Sequence, residues 1–213
     1  MSKSRNLLAI LGLLLAVFAG SASAELKQGR DYDLINPPQP TEKGKVEVIE
    51  FFSYMCPHCD HIDPLVNKWQ KTMAKDVVLR RVPVIFRPQW EAPARLYYTL
   101  EAMGELERLH SAAFAAIHRE NLDLSTEQGV ANWAATKGLD RKKFADTFNS
   151  FAVQSKTQGS KQKQGAYGIP GVPSFVVAGK YRTPDNFSGG FDELFKLVNE
   201  LINQSRVEQG NKK

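Results

Sequence analysis

Apolar and polar positions change rhythm several times along the chain, and each change marks an element. From Val46 to Phe52 the residues are apolar except for Glu47 and Glu50, which reads as a buried strand. Beyond it Cys59, Ile62, Val66, Trp69 and Met73 recur at helical spacing, so a helix runs from Pro57 to about Lys75. Pro64 removes one of its i→i−4 bonds and predicts a kink. Val77 to Phe86, dense in Val, Leu and Ile, returns to strand character, and Pro83 within it suits a sheet edge or an irregularity. Strand, crossover helix and strand imply parallel neighbours in an α/β sheet. Ahead of them, Tyr32-Asp33-Leu34-Ile35 predicts a short edge strand, broken by Asn36-Pro37-Pro38-Gln39-Pro40.

From Arg87 to about Gln164 the helical period takes over. Ala94 to Met103 ends at Gly104, and Leu106, Leu109, Ala113 and Ile117 mark a second helix. Ser125-Thr126-Glu127-Gln128 has the form of a capping box opening a third, closed by Gly138. Asp140 caps a fourth, with Phe144, Phe148 and Phe151 expected on one face, and Val153 to Gln164 is a polar helical run. His110 and His118 lie in this block and read as surface or core residues rather than ligands, since no cysteine or acidic cluster accompanies them. Strand character returns over Gly171 to Ala178, Gly179-Lys180 turns the chain into Tyr181-Arg182-Thr183, and Phe191 to Ile202 predicts a closing amphipathic helix with a polar tail after Asn203. The block from Arg87 onward reads as a helical insertion, with no repeat or low-complexity tract.

Length and composition, 213 residues at 42% hydrophobic, suffice for one domain with a sizeable insertion. The first 24 residues stand apart: Lys3 and Arg5 precede an uncharged apolar stretch from Leu7 to Ala19, and Ala22-Ser23-Ala24 matches a small-residue cleavage site. As a membrane anchor that stretch is shorter than the ~20 residues a span needs. Export as a soluble protein, cleaved after Ala24, is the expectation. Of the 28 Lys and Arg, two leave with residues 1–24, so 26 face 23 acidic residues and the balance falls from +5 to about +3. No basic stripe interleaved with aromatics supports nucleic-acid binding.

Cys56-Pro57-His58-Cys59 sits where the first long strand turns into a helix. Pro57 takes the first helical position, where a missing N–H costs nothing. The Cys56 sulfur then faces free backbone amides and the positive end of the helix dipole, both of which favour thiolate over thiol. A bridge across two residues closes too small a loop to constrain the unfolded chain much, so its value is chemical. Zinc needs four ligands, and His58 and His61 are unaccompanied by a second C-x-x-C or an H-x₃₋₅-H pair. A redox pair is favoured over an exported metal carrier using Cys56, Cys59 and His61. Glu50, a carboxylate inside an apolar strand, reads as a partly buried proton acceptor or relay beneath Cys59, or else as a strand-end residue reaching water. Arg81 either partners it from the next strand or is exposed.

Glu50-Phe51-Phe52-Ser53-Tyr54-Met55-Cys56-Pro57-His58-Cys59, together with Gly171-Val172-Pro173-Ser174-Phe175 and the helical block between them, resembles the DsbA family of exported thiol:disulfide oxidoreductases over essentially all of the mature chain. The resemblance implies a thioredoxin fold with an all-helical insertion domain: residues 25–87 and 160–213 thioredoxin-like, 88–159 inserted. It implies Cys56 as attacking thiolate, Cys59 as resolving thiol and His58 as stabiliser of the thiolate, with Pro57 and Glu50 tuning the pair. Val172-Pro173 would be a cis-proline element contacting substrate. The redox-active disulfide would need no metal or other cofactor. Implied partners are reduced, unfolded exported proteins and a DsbB-type membrane quinone reductase that reoxidises the pair, with the protein itself periplasmic and monomeric. Pro57-His58 between the cysteines favours an oxidant over a reductase or isomerase.

Overall fold

The computed structural model describes residues 26–184 and 189–210; the expected leader, 1–24, lies outside them. β1 (Asp33–Leu34), β2 (Val46–Phe52), β3 (Val77–Pro83), β4 (Ser174–Val177) and β5 (Tyr181–Arg182) form one five-stranded sheet in the order β1-β5-β4-β2-β3. β2 pairs in parallel with β3, which puts Glu50 opposite Arg81, and antiparallel with β4, which puts Phe51 opposite Ser174. The carboxyl end of β2 and the amino end of β4 therefore meet side by side at one end of the sheet, between its edge strands β1 and β3. The chemistry gathers there.

β2 is apolar almost throughout because it is covered on both sides. Val46 and Val48 pack with Ile62, Val66 and Trp69 of α1 (Pro57–Gln70) and with Val198 and Leu201 of α7 (Gly190–Gly210). Ile49 and Phe51 face the opposite layer with Tyr167 and Ile169. Between β3 and β4 lie α2 (Glu91–Met103), α3 (Leu106–His118), α4 (Glu127–Thr136), α5 (Arg141–Phe148) and α6 (Phe151–Ala166). Their shared cluster includes Leu96, Leu100, Phe114, Trp133 and Phe144, and reaches Phe52, Tyr54 and both cysteines. The redox pair thus packs against the helical block, where burial of this apolar surface is the main stabilising term.

Several boundaries differ from the periodic reading for local reasons. α1 ends at Gln70 rather than near Lys75, and the chain closes it with a turn in which the Thr72 amide donates to the Trp69 carbonyl at 2.9 Å. The cap of α4 is Thr126, not Ser125: its hydroxyl accepts from the Gly129 amide, so glycine occupies the place where a capping box needs Glu or Gln. A Cβ at Gly129 would lie 2.0 Å from the Asp123 carbonyl oxygen. Phe151 is not on the face of Phe144 and Phe148; Ser150 caps a new helix there, and Phe151 in its first turn is 85% exposed. α7 continues past Asn203 to Gly210, held by buried Ser205, by Arg206 paired to Asp76 at 2.7 Å, and by Lys180 and Tyr181 on Glu208.

Candidate active site

Cys56 caps α1 with extended backbone (φ −98°, ψ 116°), and Pro57 starts the helix. Its sulfur accepts from the Cys59 amide at 3.4 Å, as the strand-to-helix reading requires. Both cysteines are free thiols, Cys56 7% exposed and Cys59 0%. The Cys56 thiol is pulled down to about 6, first by the hydrogen bond from the Cys59 thiol, against burial, and then by the amides of Cys59 and His58 and the charge of His58. Burial, followed by the neighbouring Cys56 sulfur, pushes the Cys59 thiol well up. Two identical side chains three residues apart are thereby driven in opposite directions, one toward thiolate and one toward thiol. The pair titrates as a unit, with the first proton leaving from Cys56.

Val172 comes across from the loop that leads into β4. Its carbonyl oxygen lies 3.3 Å from the Cys56 sulfur, to which the thiol donates, and the Val172–Pro173 peptide is cis. His58 is exposed on the first turn of α1 and lines a cavity of about 300 Å³ with Val172, Pro173, Thr183, Phe191 and Leu194. Glu50 is buried on β2 and accepts from Arg81 Nε at 2.8 Å, which settles the two readings of Arg81 in favour of pairing. The Arg81 guanidinium, though burial opposes its charge, is held above its ordinary value by Glu50. Glu50 also adds to the forces that keep Cys59 protonated. Among the described residues no three His, Cys, Asp or Glu side chains gather as a metal site, and His61 is exposed.

Sequence reasoning passed over a second set of polar residues around the pair. Asp63, buried on α1, accepts from Ser111 Oγ at 2.5 Å and from Asn67 Nδ2 at 3.2 Å, with His110 Nε2 at 3.3 Å, an ion-pair distance rather than an aligned hydrogen bond. Burial pushes the Asp63 carboxyl up, but His110, Ser111 and Arg81 together hold it below the usual carboxylate range. On its other side His110 Nδ1 bonds the buried Tyr54 hydroxyl at 2.7 Å. Past the pair, Arg119 Nη1 stands 2.7 Å from each oxygen of Asp60. The signal available was the spacing of His110, Phe114 and His118, which puts both histidines on the inward face of an amphipathic helix.

The profile of the DSBA-like thioredoxin domain family matches residues 74–201. The chain is 43% identical over 192 residues to the thiol:disulfide interchange protein DsbA of Bordetella pertussis, covering 89% of this chain and 90% of that protein. Against the protein of the same name from Pseudomonas aeruginosa it is 37% identical over 206 residues, 95% of this chain and 98% of the relative. The crystal structure of Pseudomonas aeruginosa DsbA superposes with a TM-score of 0.82 at 38% identity, over 88% of this chain and 97% of that one. That of the oxidoreductase DsbA from Xylella fastidiosa gives 0.79 at 30% identity, over 85% and 98%. A matched profile across more than half the chain, close relatives along nearly all of it, and a Cys-Pro-His-Cys helix start facing a cis-proline loop agree: the chain belongs to the DsbA family.

Proposed function

We propose that this protein is a disulfide oxidoreductase that donates a Cys56–Cys59 disulfide to newly exported proteins. The observation that carries the reading is the opposed pair: a Cys56 sulfur stabilised as thiolate at the start of α1 beside a buried Cys59 held as thiol. A substrate thiolate attacks Cys56; the Cys56–Cys59 bond breaks, a mixed disulfide forms, and Cys59 leaves as a thiolate that takes up a proton. A second substrate thiolate then attacks the substrate sulfur of the mixed disulfide. Cys56 departs as a thiolate, the substrate has lost two electrons and the protein has gained them. A stabilised Cys56 thiolate favours that last step both as leaving group and as product.

His58 and Pro57 act on the Cys56 thiolate, Glu50 on Cys59, and Val172 and Pro173 contact the backbone of the extended substrate. The Val172 carbonyl beside the sulfur supports the last assignment. The helical block expected over 88–159 is read as an insertion into the thioredoxin-like unit of 25–87 and 160–213, supported by the position of α2–α6 between β3 and β4, with the boundary at 159/160 falling inside α6. We read the protein as a periplasmic monomer, exported by the leader 1–24, needing no cofactor beyond its cysteines and reoxidised by a DsbB-type membrane quinone reductase.

The test is a Cys59→Ser variant expressed with its own leader in the native compartment. Without the resolving thiol, adducts of substrate proteins at Cys56 accumulate on non-reducing gels, and the wild-type oxidised protein restores activity to a reduced, unfolded substrate protein in vitro. Absence of adducts, or an equilibrium with glutathione that leaves the pair as strongly reducing as a reductase, overturns the donor role.

A further inference from the structure

Tyr54, two residues before Cys56, is wrapped by one face of α3. His110, Phe114 and His118 follow one another there at intervals of four, a spacing that stacks side chains along a helix. The Tyr54 ring packs against Phe114 with centroids 4.9 Å apart, its hydroxyl meets His110 Nδ1 at 2.7 Å, and its carbonyl oxygen lies 2.8 Å from His118 Nε2. A carbonyl only accepts, so His118 carries a proton on Nε2 and donates it. The same peptide unit is held on its other side, where the Met55 amide donates to Ser53 Oγ at 3.1 Å. The next amide, of Cys56 itself, donates to the Ser53 carbonyl at 3.0 Å. The peptide plane between Tyr54 and Met55 is thus pinned at both ends, and it sets the direction in which the chain enters Cys56.

We propose that His118 is a positioning residue of the redox centre: its Nε2–H holds the Tyr54 carbonyl and thereby fixes the Ser53–Cys56 turn that aims the Cys56 sulfur at the first amides of α1. His118 touches neither sulfur nor substrate and acts through Tyr54. Removing its N–H leaves a carbonyl, shielded from water by α3, without a donor, which is costly enough to favour rotation of that peptide. Rotation breaks the Met55–Ser53 bond and turns the sulfur away from the Cys59 amide that now reaches it at 3.4 Å. The end of α3 does not depend on His118 alone, because the neighbouring Arg119 independently holds Asp60, the residue after Cys59. Loss of His118 is therefore read at the redox centre rather than as detachment of α3.

The inference rests on the oxidoreductase reading for its purpose but not for its test, which uses the reduced full-length mature protein without substrate. His118→Ala removes the donor; His118→Gln supplies an amide N–H at a similar reach. The readouts are the ultraviolet absorbance of the Cys56 thiolate against pH and the equilibrium with glutathione. His118→Ala raises the thiolate midpoint by about one unit, which at pH 7 lowers the equilibrium constant for oxidising glutathione by roughly fivefold. His118→Gln stays within about twofold of wild type. If His118→Ala titrates with the wild type, or His118→Gln shifts as far as His118→Ala, the proposal is overturned. Should His118→Ala fail to fold, His118→Leu, closer in bulk, takes its place against the same outcomes. A shifted midpoint in a protein that oxidises no substrate sinks the donor reading and leaves the positioning role standing.

Discussion

Cys56 owes its acidity to groups held in fixed positions, and the carboxylate beneath its partner is itself buried and tied to a fixed cation. Glu50 has 4% of its side chain exposed and Arg81 15%, with 2.8 Å between Nε and Oε2, and Arg81 goes on to donate to Asn67 Oδ1 at 2.9 Å. Desolvating both ions offsets much of their attraction, so the pair as a whole adds little net stability. Breaking it is another matter. Arg81→Met leaves a carboxylate under β2 and β3 with no counterion and is expected to cost about 3–5 kcal/mol in urea unfolding. Glu50→Gln combined with Arg81→Met recovers most of that loss, because no charge is then stranded. Equal destabilisation in the single and double variants would show that packing of the Arg81 stem, not charge, sets the cost.

At the scale of elements, what a sequence displays and what it conceals divide along local and tertiary lines. β2, α1 and the placement of Cys56 were legible because each is set within a dozen residues: an apolar run, a 3.6-residue period, and a proline that fits only the first turn. Val172 beside the sulfur was legible only through family resemblance, since no local pattern brings residues 116 positions apart into contact. His110, His118, Asp63 and Arg119 were not legible, because their partners are decided by how α3 lies against α1. A histidine on an inward helical face reads the same whether it meets a phenylalanine or a carbonyl. Phe151 failed for a local reason, the serine cap that restarts the helix just before it. Glycines show the same division: Gly129 and Gly159 both sit inside helices, yet a Cβ at Gly129 meets the Asp123 carbonyl at 2.0 Å while one at Gly159 meets nothing within 4 Å. Gly159→Ala is therefore expected to stabilise the protein by about 0.5–1 kcal/mol, through the lower conformational freedom of alanine in the unfolded chain. Gly129→Ala destabilises it by forcing the loop before α4 to move. Denaturation midpoints of the two variants moving in the same direction would contradict the placement of both helices.

For the molecule as a whole, the two cysteines tie stability to redox state in a way that pH exposes. In the reduced folded chain the Cys56 proton leaves near pH 6, whereas in the unfolded chain it stays until about 8.5. Between those values the unfolded state binds more protons, so the stability of the reduced protein rises with pH. Cys59 carries the opposite sign: folding pushes it well up, so above about 8.5 the folded state keeps a proton that the unfolded state has lost, and stability falls again. In the oxidised protein neither sulfur titrates. Asp63, whose depressed carboxyl adds stability at neutral pH that is lost on acidification, contributes to both forms and cancels in their difference. Urea unfolding of the reduced and oxidised proteins across pH 5 to 10 therefore isolates the sulfur contribution. The reduced form gains on the oxidised form from pH 6 to about 8.5 and then gives ground. A difference flat across that range would mean that the folded chain does not hold Cys56 as a thiolate, and would remove the driving force assigned to disulfide donation.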